Sequence, residues 1–242
     1  MSHVETEVLL VAGLLAFYLL DSARLLHFDE LRVAAGRRGW QVSTGASLEM
    51  RGRFVLLPDP WRPARTEFFA SWLHPGGDAG AGEDADALRQ FARRLWLVRA
   101  CCVVVAALVL VALPVLLLWH RDPVWLLTVL GASYFFTTMM LLAVFVQRAA
   151  LRLDTRRLLA LAAESLLCPP CAPNLYRKLC RWRGFRGDPV AFAARQLSPE
   201  AQQRLRASID ARIALFALAD DADGAHVREV RPAQARIREL LQ

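Results

Sequence analysis

The stretch Val124–Val146, VWLLTVLGASYFFTTMMLLAVFV, decides the fold of this chain. It is 23 residues long and contains no charged side chain. Because each helical residue adds about 1.5 Å, roughly 20 apolar residues are needed to cross about 30 Å of hydrocarbon. Leucine, valine and phenylalanine fill about half of the positions, and each favours insertion by about 0.3–0.6 kcal/mol near the membrane centre. The stretch therefore predicts a transmembrane helix.

A second apolar stretch, Ala100–Trp119, precedes this span and predicts its antiparallel partner. Only residues 120–122 connect the two, with Trp119 and Trp125 on either side. Tryptophan is enriched at membrane–water interfaces, so this arrangement is typical of the turn of a transmembrane hairpin. Pro114 has no amide hydrogen to donate within the helix, and we expect a kink there.

The first apolar block, Val8–Leu20, is shorter than a membrane span, but the wider segment Val4–Leu26 reaches the required length. A secretory signal peptide is the alternative interpretation. Such a peptide begins with positive residues, whereas this chain begins MSHVETE, and no A-x-A cleavage site follows the apolar block. A retained transmembrane helix is therefore the favoured interpretation.

The placement of arginine predicts the orientation of the three spans, because cytosolic segments of membrane proteins carry an excess of Lys and Arg. Arginines follow the first block, precede the second and follow the third: Arg24, Arg32, Arg37, Arg38, Arg89, Arg93, Arg94, Arg99, Arg148, Arg152, Arg156 and Arg157. The opposite ends of the spans contain Arg121 and no other Lys or Arg. The N-terminus is therefore predicted outside and the C-terminus in the cytosol.

Composition agrees with a membrane protein and indicates its source. The hydrophobic fraction is 55% and the mean hydropathy is +0.29, against about 45–50% apolar residues in average soluble chains. The net charge is +7, and Lys178 is the only lysine. Arginine in place of lysine is typical of a GC-rich bacterial genome, so we expect the bacterial inner membrane. Arginine-rich chains also bind nucleic acid, but the positive-inside rule already accounts for these arginines, so nucleic acid is not an expected partner.

The spans divide the chain into five predicted parts of an α-helical integral membrane protein with three transmembrane helices. Residues 1–26 are the N-terminal helix, and residues 100–146 are the hairpin. Residues 27–75 predict a small cytosolic antiparallel β module of three or four strands. Residues 76–99 predict an acidic linker and a helix leading into the membrane, and residues 147–242 a helical cytosolic region.

Local signals predict the elements of the two cytosolic parts. Apolar runs predict strands at Leu31–Val33, Trp40–Ser43, Phe54–Leu57 and Thr66–Leu73. An Arg/Leu/Ala pattern predicts one helix over Arg148–Leu167, which Pro169 and Pro170 end. Asn174 is expected to cap the next helix, Ser198-Pro199 to start another, and Pro232 to start a last short one.

Five cysteines, Cys101, Cys102, Cys168, Cys171 and Cys180, are predicted at the cytosolic side, where structural disulfides are not expected. The sharpest motif is Cys168-Pro-Pro-Cys171. A redox pair of this type normally follows a strand, whereas this one follows a predicted helix. Zinc usually takes four ligands, and Cys168, Cys171 and Cys180 supply three. We therefore expect no metal or other cofactor, and these three cysteines remain the candidates for a metal site.

The stretch from Tyr176 to Arg186 mixes aromatic and cationic side chains, namely Tyr176, Arg177, Lys178, Arg181, Trp182, Arg183, Phe185 and Arg186. Docking to anionic lipid headgroups is the favoured interpretation, because each basic residue near such a surface contributes about 1 kcal/mol. A partly buried helix with solvated arginines and a nucleic-acid contact are the alternatives.

No motif in the sequence names an activity. There is no phosphate-binding glycine loop, nucleophile elbow or metalloprotease His-Glu pair, and Asp221-x-Asp223-Gly224 lacks two ligands of a calcium loop. We therefore expect a non-enzymatic protein that presents cytosolic modules and scaffolds or regulates a protein partner or assembles with itself. The alternative is a membrane-bound redox or metal-binding protein that uses Cys168, Cys171 and Cys180.

Overall fold

The computed structural model describes residues 3–36, 39–50, 53–57, 59–74, 83–120, 122–219 and 225–241. Arg37, Arg38, residues 76–82 of the acidic linker, Arg121 and the Asp221–Gly224 segment lie outside the described residues. The chain divides into two compact units. The first unit comprises residues 1–23, 58–64 and 91–179, and the second comprises residues 24–57, 65–90 and 180–242.

Helices dominate the described part of the chain. They are α1 His3–Ser22, α2 Ala85–Arg94, α3 Trp96–Ala107, α4 Leu113–Val115, α5 Pro123–Val146, α6 Arg148–Leu151, α7 Thr155–Leu167, α8 Leu175–Arg183, α9 Pro189–Gln196, α10 Pro199–Ala219 and α11 Ala225–Leu240. The strands are β1 Arg24–Leu26, β2 Glu30–Gly36, β3 Gly39–Ser43, β4 Leu48–Met50, β5 Arg53–Leu56 and β6 Glu67–Ser71. Two π-helical segments, Leu108–Ala112 and Leu116–His120, and one 3-10 helix, Pro169–Asn174, complete these elements.

Two helices of the first unit are long and apolar enough to cross a membrane. They are Trp96–His120, which joins α3 to the second π-helical segment, and Pro123–Val146. They pack through Cys102, whose Sγ lies 3.3 Å from Sδ of Met140. Ser133 and Thr137 lie buried on α5, and their hydroxyls donate to backbone oxygens four residues earlier. The hydroxyls thereby satisfy themselves within the helix, as expected of residues at a helix–helix contact.

Pro114 lies in α4, between the two π-helical segments. The amide of Leu113 donates to the oxygen of Leu108, five residues earlier instead of four. A π-helical turn shifts the hydrogen-bond pattern by one residue, which is one way in which a helix absorbs a proline. Two π-helical segments therefore flank the proline, and the kink expected at Pro114 stays a prediction.

Helix α1 ends at Ser22, so the helix is shorter than the predicted segment 4–26, whose last residues form β1. The C-terminal end of α1 packs against the 3-10 helix, which also packs against α3 at the start of the Trp96–His120 helix. Helix α1 contacts the far end of that helix as well, at Leu116–His120. It follows that α1 runs antiparallel to Trp96–His120.

The second unit contains two three-stranded antiparallel sheets instead of the single sheet that the sequence predicts. The first has the order β3-β2-β6, with Val33 paired to both Val42 and Phe68. The second has the order β1-β5-β4. The sequence pattern missed β1 and β4, because each is only three residues long and carries no full period of alternation.

Helices α9 and α10 pack on these sheets. Phe192 of α9 meets Trp40 of β3 edge to face, with ring centroids 6.3 Å apart. Phe216 of α10 stacks on Phe28 at 3.9 Å. Arg212 of α10 is buried and donates to the backbone oxygens of Glu30 and Thr44 at 3.1 and 2.7 Å. Burial lowers the pKa of Arg212 to about 10, although nearby carboxylates partly offset this effect.

Three helices differ from the sequence prediction. The helix predicted over Arg148–Leu167 is broken at Arg152, which has φ of 54° and ends α6 in the left-handed conformation. Asp154 then caps α7 by accepting from the amide of Arg157 at 2.6 Å. Pro232 lies inside α11 instead of starting it. Helix α9, which Asp188 caps, was not predicted.

Replacing Arg152 by glycine is expected to leave the thermal midpoint unchanged or to raise it. The left-handed conformation costs an ordinary residue roughly 1–2 kcal/mol, and glycine avoids this cost. The same change at Arg204, an exposed residue inside α10, is expected to cost about 1 kcal/mol of helix stability. Circular dichroism melts of the two solubilised full-length variants provide the comparison. An equal fall in both midpoints would contradict the helix break at Arg152.

Candidate functional site

A polar cluster with a buried centre and an exposed edge lies where the end of α1 meets the 3-10 helix Pro169–Asn174. We call it the polar clamp, and it comprises Asp21, Ser22, Glu164, Asn174, Arg177 and Lys178. The Ser22 hydroxyl lies 2.9 Å from Oδ1 of Asn174, and Nδ2 of Asn174 donates to Asp21 at 2.8 Å. Ser22 and Asn174 are each 1% exposed. Asn174, expected as a helix cap, therefore uses its side chain to hold α1.

The guanidinium of Arg177 lies at the centre of the polar clamp and is buried. Its Nη2 donates to the backbone oxygens of Asp59 and Arg62 at 2.7 and 2.8 Å. Its Nη1 donates to Asn174 at 3.2 Å and to the Ser22 hydroxyl at 3.4 Å. A buried charge is tolerated only when hydrogen bonds replace its water. Arg177 consequently ties the loop at residues 59–62 to the end of α1.

Lys178 forms the charged side of the polar clamp. Its Nζ lies 2.7 Å from Asp21 and 2.6 Å from Glu164, so it joins α1 to α7. Burial lowers the pKa of Lys178, but the hydrogen bonds and charges of the two carboxylates outweigh burial and raise the pKa overall. A raised lysine pKa means that this contribution to stability is complete below a pH of about 10.5 and is lost in more alkaline solution.

The same place offers metal-ligating atoms, because an oxygen of Asp21, an oxygen of Glu164 and Sγ of Cys171 all lie within 4.8 Å of one another. The ammonium of Lys178, however, contacts both carboxylates and takes the position of a cation. Burial and a hydrogen bond with Cys168 raise the pKa of Cys171 to about 12. Cys171 is therefore a neutral thiol at neutral pH. The geometry favours an internal ion pair here.

The structure brings together two of the three candidate cysteines. Cys168 precedes the 3-10 helix and Cys171 lies in it, and their side chains share a hydrogen bond. Cys168 is partly exposed and Cys171 is buried, while Cys180 is buried in the second unit. The 3-10 helix that carries the pair packs against α1, α3 and α7. This structural setting matches a proline-induced helix break that positions three helices.

The residues predicted to meet lipid headgroups fall into groups of different burial. Tyr176, Arg177 and Phe185 are buried, Lys178, Arg181 and Arg183 are partly buried, and Trp182 and Arg186 are exposed. Arg183 pairs with Glu83, which also accepts from the amide of Arg186 at 2.6 Å. The exposed members alone have the access that headgroups require. The lipid interface stays a prediction, and each of its buried members packs inside its own unit.

Sequence reasoning missed the polar clamp as a site. For Asp21 and Ser22, the sequence predicted only a position at the end of an apolar block. For Glu164, it predicted only a position in an amphipathic helix. A signal was available, because Tyr18, Asp21 and Ser22 place three polar groups on the last turns of an otherwise apolar helix. Their partners lie far along the chain: Asn174 is 152 residues after Ser22. The spacing of residues in the sequence does not reveal such a pairing.

Replacing Arg177 by alanine is expected to destabilise the protein by about 2–3 kcal/mol, because four oxygens, two of them on the buried residues Ser22 and Asn174, lose a charged donor. Replacing Arg186, whose side chain is exposed, is the matched control and is expected to change stability by less than about 0.5 kcal/mol. Thermal unfolding of the full-length variants measures both. If the two variants melted alike, the central role of Arg177 in the polar clamp would be wrong.

Alkylation at neutral pH is expected to modify Cys168 much faster than Cys171. Cys168 is partly exposed, whereas burial and the raised pKa keep Cys171 as a shielded thiol. Mass spectrometry of peptides from protein treated with iodoacetamide measures both sites, and a denatured sample shows that each can react. Equal labelling of the two cysteines in the folded protein would refute this burial pattern.

The chain was compared with protein-family models, with curated proteins and with solved structures, and none of the three comparisons finds a match. A functional interpretation therefore depends on the residues described above and on the physical chemistry of their surroundings.

Proposed function

We propose that this chain is a three-span protein of the bacterial inner membrane, with the N-terminus outside and the C-terminus in the cytosol. The observation that carries this proposal is the uncovered apolar surface of two helices. Only 28% of the apolar window of Trp96–His120 and 22% of that of Pro123–Val146 is buried. A core helix of a soluble protein would have most of such a window buried, and water does not tolerate a contiguous apolar patch of this kind.

The uncovered residues include large apolar side chains along both helices, such as Val103, Val111, Leu127, Phe135 and Leu142. The charged residues stand at the ends. Gln147, directly after α5, donates from Nε2 to the backbone oxygen of Arg94 at 2.9 Å. The start of one helix and the end of the other are therefore on the same side, and Arg93, Arg94 and Arg148 cluster there. This clustering supports a cytosolic location for that end of the hairpin.

Helix α1 is the proposed third span. It exposes Val8, Leu9, Leu10, Phe17 and Leu20, as a lipid-facing helix does. It runs antiparallel to Trp96–His120, which is the direction that a helix entering from outside requires. The polar clamp holds its C-terminal end at the side of the hairpin where the arginines lie. Asp21 and Lys178 thus lie at the proposed cytosolic end of the helix, where charges cost little.

For the biochemical role, we propose that the protein is a non-enzymatic scaffold or regulator that presents its second unit to a cytosolic partner. Three sets of charged groups support this role, because they form structural pairs: Lys178 with Asp21 and Glu164, Arg183 with Glu83, and Arg32 with Glu67. Catalytic groups instead face a cleft that a substrate can enter. A folded module on a membrane anchor is suited to recruitment.

The alternative role, redox or metal chemistry at Cys168, Cys171 and Cys180, has its own test. Metal analysis of the purified full-length protein is compared with that of a Cys168→Ser, Cys171→Ser double variant. Stoichiometric zinc or iron that is lost in the double variant would favour the alternative over the scaffold. Absence of metal from both proteins, together with unchanged stability, is the result that the internal ion pair predicts.

The membrane proposal predicts that the full-length protein stays in the membrane pellet after washing with alkaline carbonate. Carbonate releases proteins that are held at the membrane surface by electrostatic attraction, whereas three apolar helices are held by the hydrocarbon. A reporter that is active only in the cytosol should be active when it is fused after Gln242, and a reporter that is active only in the periplasm should not. A control that opposes insertion, Phe135→Arg at the centre of α5, should make insertion less favourable by about 3–4 kcal/mol, because arginine costs about 2.5–3.5 kcal/mol there and the favourable contribution of phenylalanine is lost. Release of the wild-type chain by carbonate would overturn the membrane proposal, and a periplasmic reporter signal would overturn the orientation.

The scaffold proposal is tested by cross-linking in intact cells, followed by purification of the full-length protein and quantitative mass spectrometry. A partner should co-purify with the tagged wild-type protein. When the tag is placed on the partner instead, the wild-type protein should co-purify with it. Arg212→Ala, which removes the side chain that joins α10 to the sheets, should lose the partner while remaining in the membrane. If the same proteins co-purified with the Arg212→Ala variant as with the wild type, the proposal that the second unit binds the partner would be wrong.

A further inference from the structure

An apolar groove lies between the last turns of α5 and the first half of α7. Leu141, Leu142 and Phe145 line one wall, and Leu158, Leu159 and Ala162 line the other. The groove encloses about 290 Å³, close to the lower limit of roughly 300 Å³ for small-molecule sites. Its walls are almost wholly hydrocarbon, so its natural occupant is an apolar chain and not a polar metabolite.

The break in the helix at Arg152 creates this groove. The left-handed residue turns the chain, Asp154 starts α7, and α7 packs back along α5. Helix α7 also exposes Leu159, Leu166 and Leu167. An amphipathic helix with an uncovered apolar side beside the end of a membrane span has the properties of an interfacial helix.

One cation lines the groove. Arg148 follows the last residue of α5 by two positions, and its Cζ lies 5.1 Å from the centre of the Phe145 ring. Within the described ranges, no carboxylate lies within ion-pair distance of Arg148. Thr138, which also lines the groove, donates its hydroxyl to the oxygen of Tyr134 in its own helix. The groove therefore combines apolar walls with a single guanidinium at the end of a membrane-type helix.

We propose that this groove binds one acyl chain of an anionic phospholipid, with the lipid phosphate at Arg148. Guanidinium groups pair with phosphate oxygens through two parallel hydrogen bonds, and basic pockets between helices at the cytosolic side of membranes take up phospholipid headgroups. The site is separate from the headgroup contact predicted for Tyr176–Arg186. It rests on the proposed membrane location, which would put α5 and α7 within reach of lipid.

The test is native mass spectrometry of the detergent-solubilised full-length protein, titrated with phosphatidylglycerol, with phosphatidylcholine or with glycerol phosphate. Phosphatidylglycerol should be retained in a one-to-one complex, and glycerol phosphate should not. Arg148→Gln should weaken retention about fivefold, since one basic residue contributes about 1 kcal/mol. Arg156→Gln removes the same charge from an exposed position of α7 outside the groove and should leave retention unchanged.

Ala162→Phe fills the groove and should abolish one-to-one retention of phosphatidylglycerol while circular dichroism shows an intact fold. If Arg148→Gln and Arg156→Gln weakened retention equally, the lipid would be bound by general surface charge and the proposal would fail. Retention of glycerol phosphate as strong as that of phosphatidylglycerol would equally overturn it. Either result leaves the carbonate experiment untouched, so failure of the groove and failure of the membrane location are distinguishable.

Discussion

The guanidinium of Arg177 joins three segments that are far apart in the chain: the end of α1, the loop at residues 59–62 and the start of α8. A buried cation with uncharged partners is costly unless all the surrounding oxygens point towards it. The segments that supply these oxygens are therefore constrained together, and the packing of α1 on the 3-10 helix depends on this arrangement. Lys178, the next residue, adds the ion pairs that bring in α7.

The hairpin of the first unit satisfies its polar groups internally, which is the requirement for a helix in hydrocarbon. Ser133 and Thr137 donate to their own helix. The π-helical segments on either side of Pro114 keep the backbone hydrogen-bonded without the proline amide. What the hairpin leaves unsatisfied is its apolar surface. Lipid covers such a surface at no cost, and this is the physical reason for the membrane location that we propose.

The second unit is stabilised by arginines in a different way. Arg212 donates to backbone oxygens at the strand ends and lies 4.2 Å over the ring of Phe54. Arg183 pairs with Glu83 and lies 5.0 Å over Phe68. Arginine is well suited to such positions because its planar fork bonds several oxygens while its face stacks on a ring. These arginines, which composition alone associates with nucleic acid or lipid, instead hold sheets and helices together.

The sequence by itself determined the two apolar helices, the short connection between them and most of the strands, because hydrophobic runs and period-two alternation are local properties of the chain. Only the tertiary structure decided the division into two sheets, the break at Arg152 and the polar clamp. The clamp joins Ser22 to Asn174, and the break at Arg152 accompanies the packing of α7 against α5. Such pairings form because residues that are distant in the chain are buried against one another. The local spacing of residues in the sequence does not predict them.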